Sequence, residues 1–127
     1  YLIPQDVVIE RDAQTRIVSI STTDDSDWYF SEKYIYDANG WLTQKEFEDD
    51  CATCVFNYYY DNTGTVVRII NNGANDDNEY TITINYLVMG RDHKGNWIKR
   101  RAQRTTVSDG EVTYQETTIE TRRITYR

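Results

Sequence analysis

The sequence predicts an all-β fold, an antiparallel meander of repeated β-hairpins forming one strongly twisted sheet. Three observations predict it. The chain of 127 residues holds 11 Tyr and 3 Trp against one Pro and one Met, and aromatic rings with a polar edge suit a half-buried pleated surface. Apolar and polar residues alternate with period two: Tyr80, Ile82, Ile84, Tyr86 and Val88 fall on one face, Thr81, Thr83 and Asn85 on the other. Finally, an aspartate-led segment recurs at Asp12, Asp37, Asp61 and Asp92. A spacing of roughly 25 residues accommodates two strands and two turns per unit.

Each recurrence reads as a hairpin turn. The segments are Asp12-Ala13-Gln14-Thr15-Arg16-Ile17, Asp37-Ala38-Asn39-Gly40-Trp41-Leu42, Asp61-Asn62-Thr63-Gly64-Thr65-Val66 and Asp92-His93-Lys94-Gly95-Asn96-Trp97-Ile98. The aspartate accepts hydrogen bonds from backbone amides ahead of it, and a glycine three residues later supplies positive φ. The first unit has Thr15 in the glycine position, so its turn is either of another type or strained. Strands 7–10 and 16–22 flank the first turn, 28–36 and 41–48 the second. In the third of these strands Trp28, Phe30, Tyr34 and Tyr36 share a face, interrupted by Glu32. Strands 54–60 and 65–71 flank the third turn, with Phe56, Tyr58 and Tyr60 on one face, and 79–88 and 96–107 flank the fourth. Asn39-Gly40, Asn72-Gly73 and Asp109-Gly110 are additional turn signals, the last of them opening strand 112–126. No segment has a helical period.

The length fits a single domain, residues 1–127, large enough to bury a core without metals or disulfides. Such a sheet has one apolar face to hide and two edges to protect. It can curl into a sandwich or half-barrel, or form a homodimer by sheet-edge pairing.

Net charge is −7, which argues against nucleic acid as a partner. The charge is uneven: residues 1–90 hold 5 Lys/Arg and 16 Asp/Glu, residues 91–127 hold 9 and 5. The first expectation is that basic C-terminal strands pair with acidic earlier ones; the second is a basic surface for an anionic glycan or lipid headgroup. No apolar run is long enough to span a bilayer as a helix. The chain begins at Tyr1 with no basic-then-apolar leader, which reads as a mature or trimmed product compatible with export.

Tyr34-Ile35-Tyr36-Asp37-Ala38-Asn39-Gly40-Trp41-Leu42 and Tyr58-Tyr59-Tyr60-Asp61-Asn62-Thr63-Gly64-Thr65-Val66 resemble the tyrosine–aspartate repeat of RHS/YD-repeat proteins. Asp92-His93-Lys94-Gly95-Asn96-Trp97-Ile98-Lys99-Arg100 is similar to a variant in short exported proteins of Bacteroides-type bacteria. The resemblance covers roughly residues 30–105. It implies a hairpin scaffold, export to the periplasm or cell surface, and a scaffold or binding role.

The chemistry-bearing residues are few. Cys51-Ala52-Thr53-Cys54 lies between strands and after three carboxylates, which disfavour a thiolate. With no other Cys and one His the chain lacks a zinc set, so a small loop disulfide between Cys51 and Cys54 is the first reading and free thiols the second. His93 sits in a turn with no nucleophile motif beside it. Asp24-Asp25-Ser26-Asp27 and Asn75-Asp76-Asp77-Asn78 are oxygen-rich but match no calcium loop and read as solvated turns. No catalytic, cofactor-binding or metal residue is nominated. Trp28, Trp41 and Trp97 are the candidate ligand-binding residues, since an exposed indole stacks on a sugar or anchors a peptide, whereas a packed one belongs to the sheet. The function expected is a non-enzymatic exported scaffold or binding module at the bacterial cell envelope, with a glycan or protein ligand and no cofactor. The alternative is a small hydrolase acting on envelope polysaccharide, which requires two facing acids.

Overall fold

The computed structural model describes residues 7–22 and 29–127. Nine strands follow one another: β1 (Val7–Arg11), β2 (Ile17–Thr22), β3 (Phe30–Tyr36), β4 (Leu42–Asp49), β5 (Ala52–Tyr60), β6 (Val66–Asn75), β7 (Glu79–Arg91), β8 (Trp97–Ser108) and β9 (Glu111–Thr121). They form one antiparallel sheet whose spatial order is the sequence order. It is an open meander, not a closed barrel, so β1 and β9 are its two edges. Among the described residues no helix is long and apolar enough to cross a membrane.

The cross-strand register sorts side chains into two unlike faces. Glu32, Phe47, Cys54, Gly73, Tyr80 and Ser108 form one row across the sheet, and Tyr34, Lys45, Phe56, Asn71, Ile82, Thr106 and Tyr114 form the next on the same face. Tyr58, Ile69, Ile84 and Tyr86 continue this aromatic and aliphatic surface. The other face carries more polar residues, Lys33, Glu46, Asn57, Arg68, Asn72, Thr81, Thr83 and Gln103, interspersed with Ile35, Val55, Tyr59 and Ile70. Leu87 and Met89 lie on that polar side and are about half exposed.

The expected enclosed core is replaced by shielding within a single layer. Among the described residues Ala102 is the one buried hydrophobic side chain, and no large side chain is fully buried. Each strand pairs only with its sequence neighbours, so apolar rings are covered by adjacent side chains. Lys45 Nζ lies 5.4 Å above the Phe56 ring and the Arg100 guanidinium 3.8 Å above that of Tyr86. These charged heads lie over the aromatic faces and cover them.

Two turn expectations need correction or completion. Asn72-Gly73 is not a turn: both residues lie inside β6, and the chain reverses at Asn75–Asn78, where the Asn75 amide donates to the Asn78 carbonyl at 3.0 Å. Gly73 is required for space. A Cβ there would lie 2.2 Å from Cζ of Tyr80, whose ring crosses the glycine from the paired strand. At the first unit, Thr15 makes the same bond to the Asp12 carbonyl that Gly40 makes to Asp37, with φ of 65°. The turn type is therefore conserved among the units, and the β-branched residue is strained in the left-handed region.

Candidate functional site

Four turns of one design stand along one end of the sheet. In each, the aspartate Oδ1 accepts two backbone N–H groups, from the residues two and four positions on, at 2.8–3.1 Å. These bonds close the turn and leave the recurrent aspartates in a structural role. They also hold three of the carboxyls below the usual range. At Asp12 desolvation pulls upward and is outweighed by the bonds from Arg16 and Gln14. At Asp61 the Thr63 hydroxyl acts first, and at Asp92 the Tyr126 hydroxyl.

At the first two turns the residue that follows meets the end of the next hairpin. The Arg16 guanidinium lies 4.6 Å above the Tyr36 ring, and Tyr36 Oη donates to the Ile17 carbonyl at 2.9 Å. Trp41 packs on Tyr60 with centroids 5.2 Å apart, and Tyr60 Oη donates to the Leu42 carbonyl at 2.6 Å. A Cβ on Gly64 would lie 3.0 Å from the Trp41 indole. Trp41 is thus a packing residue joining two units, and its ring is engaged. The recurrent tyrosines belong to the same scaffold, and desolvation followed by the hydrogen bond to Glu32 raises Tyr34 to about 12.

Trp97 has different surroundings. Arg100 and Arg122 both lie over its ring, at 4.0 and 3.9 Å, and Arg122 Nε donates to the Trp97 carbonyl at 2.7 Å. Arg100 Nε donates to Glu120 Oε1 at 2.6 Å. Arg91 donates to the Gly95 carbonyl at 2.7 Å and pairs with Asp61 at 3.4 Å. Lys94 Nζ sits 4.0 Å above the Tyr126 ring, and Tyr126 Oη donates to Asp92. Arg91, Lys94, Trp97, Arg100 and Arg122 border an open cleft of about 560 Å³ with Thr63, Gly64, Thr65, Val66, Gly95 and Asn96. Arg91, Lys94, Arg100 and Arg122 therefore converge on one space in an acidic protein. Among the described residues, Arg122 and Lys94 have no ion pair.

Of the three nominated tryptophans, the structure places Trp97 in this cleft and Trp41 in an inter-unit contact; Trp28 lies outside the described residues, as does 24–27. Cys51 and Cys54 are free thiols, Cys51 in the turn and Cys54 in β5 opposite Phe47 and Gly73. Burial first, then Asp49 and Glu32, push the Cys54 thiol up against a lowering effect of Lys45. His93 sits edge-on to Tyr126, with ring centroids 5.6 Å apart. In the Asn75–Asn78 turn the Asn75 carboxamide oxygen accepts the Asp77 and Asn78 amides, and among the described residues no three His, Cys, Asp or Glu side chains converge to hold a metal.

Among the described residues, the expected pairing of basic C-terminal strands with acidic earlier ones is limited to Arg91 with Asp61. The meander order keeps β8 between β7 and β9, so Arg100 pairs with Glu120 of its own hairpin instead. The four-cation set was not visible as a unit in the sequence; its signal was the basic surplus after residue 90.

No protein-family model, curated protein or solved structure matches this chain.

Proposed function

We propose that the chain is a non-enzymatic exported scaffold or binding module at the bacterial cell envelope, taking a glycan or protein ligand. The observation that carries this reading is the division of labour among its polar side chains. The recurrent aspartates close their own turns, and Tyr36 and Tyr60 hold adjacent hairpins together, whereas among the described residues the Nη groups of Arg100 and Arg122 and Lys94 Nζ at the Trp97 cleft donate to no acceptor. The likeness of the turns to exported YD-type repeats supports the envelope setting. A thermal-shift screen against bacterial glycans and candidate protein ligands tests it. A ligand at about 100 times its Kd adds about 2.7 kcal/mol of stability. A reporter fusion to the whole gene product that stays in the cytoplasm would count against export.

The β9 edge favours protein association as a second route. Arg122 donates its amide to the Ile98 carbonyl, so by antiparallel alternation odd-numbered residues from Gln115 to Thr121 turn their backbone groups outward. This strand is long, exposed and free of Pro and Lys, the features of an edge open to pairing. Sedimentation over a range of concentrations tests it: a dimer that Thr117→Pro abolishes supports edge pairing, and a monomer throughout rejects it.

A further inference from the structure

We propose that the Trp97 cleft binds an acidic glycan through a sugar-borne oxyanion, a carboxylate or a sulfate, held by Lys94, Arg100 and Arg122. This rests on the binding-module reading and names the ligand class for it. The first reason is the state of the donors. Nε of Arg100 and Nε of Arg122 are engaged by Glu120 and the Trp97 carbonyl. Those bonds orient the guanidinium planes, while among the described residues their Nη groups and Lys94 Nζ donate to no acceptor. A guanidinium fixed through Nε presents its two Nη donors as a fork, which matches the paired oxygens of a carboxylate or sulfate.

The second reason is local charge. Four cations border the cleft, and two of them are matched by Asp61 and Glu120. Arg122 and Lys94 leave a positive excess in the cleft lining of a chain of net charge −7, which favours an anion there. The third reason is the remaining lining. Thr63, Thr65 and Asn96 offer hydroxyl and amide groups suited to sugar hydroxyls, and a volume of about 560 Å³ lies within the range of small-ligand sites. The Trp97 ring already carries two guanidinium groups. Its part is to hold those groups in place, and sugar stacking on the indole is not required.

The test is calorimetric titration with four probes: a galacturonate oligomer, a sulfated galactose oligomer, the neutral galactose oligomer and inorganic sulfate. Binding of either acidic oligomer is expected, weakening by about tenfold for each charge-assisted contact removed in Lys94→Gln and Arg122→Gln. Both variants should stay folded with Tm lowered by no more than a few degrees, because each removes one exposed cation–π contact, and Arg122→Gln also the bond to the Trp97 carbonyl, without breaking a strand pair. Carboxylate and sulfate sources are told apart by which oligomer binds. Inorganic sulfate binding as tightly as the oligomers would overturn the glycan part. A neutral oligomer bound equally well, with both variants unaffected, would overturn the inference while leaving a glycan-binding module intact. No binding of any acidic oligomer would overturn the inference, and the wider screen of glycans and proteins would then decide the binding-module reading separately.

Discussion

The turns at Asp37 and Asp92 are built alike and used differently. Both aspartates accept the same two amides, and both turns end in a glycine near φ 85° followed by, or close to, a tryptophan. At the second unit, Trp41 meets Tyr60 and the glycine of the next turn. At the fourth, the position facing Trp97 holds arginines, and nothing lies within 4 Å of where a Cβ on Gly95 would stand. Trp41 stands four residues after Asp37 and Trp97 five after Asp92, so the offset in the strand, together with the neighbouring hairpin, decides whether the aromatic side chain closes a contact or lines an open cleft.

The largest effect should separate the two tryptophans. Trp41→Ala should cost about 2–3 kcal/mol in urea unfolding, below the range for a fully buried Trp because the site is half-buried. Trp97→Ala should cost about 1 kcal/mol, the scale of exposed cation–π contacts. Equal losses would break the distinction between a packing and a cleft residue.

Acid should act on the shared part of the design. Asp12, Asp61 and Asp92 titrate below the reference value of 3.8 when folded. Their stabilisation is therefore complete above the unfolded carboxyl's pKa and is lost as the pH falls through the lower folded values. Unfolding followed by tryptophan fluorescence should show stability dropping below about pH 4, with a shallower drop in the Asp12→Asn, Asp61→Asn, Asp92→Asn triple variant. An unchanged slope would mean that these carboxylates do not anchor the turns.

The smallest effect concerns the first unit. Thr15→Gly relieves a left-handed threonine at φ 65° and should raise stability by about 0.5–1 kcal/mol, net of the extra freedom glycine gives the unfolded chain. A thermal melt checks the sign, and a loss of stability would show that Thr15 contacts outweigh the strain.

Much of this was legible before the structure. Period-two alternation and Asp-led turns located all nine strands, because both are local properties that tertiary packing did not override. Asp109-Gly110 was read correctly as a tight hairpin; both residues have positive φ. Asn72-Gly73 misled because glycine can serve space as well as φ, and Tyr80 approaches from seven residues away in sequence through the β6–β7 pairing. The absence of an enclosed core was hidden for a similar reason: alternation reveals two faces but not whether a second layer covers one. At the site, Trp97 could be nominated as a residue. Its companions could not, since Arg91, Lys94, Arg100 and Arg122 come from a turn and the ends of three strands, and the register shifts between Val88 and Arg91 help to bring them together.

The central claim is that turns of one design differ in what the neighbouring hairpins place against them, and two glycines test it most directly. Gly64 and Gly95 share φ of 85°, so alanine at either pays the same backbone penalty of about 1 kcal/mol. Alanine at Gly64 must also displace the Trp41 indole, whose Cζ2 would stand 3.0 Å from the new Cβ. Urea unfolding of Gly64→Ala and Gly95→Ala should therefore show a loss at Gly64 larger by about 1 kcal/mol or more. Equal losses, or a larger one at Gly95, would contradict the account.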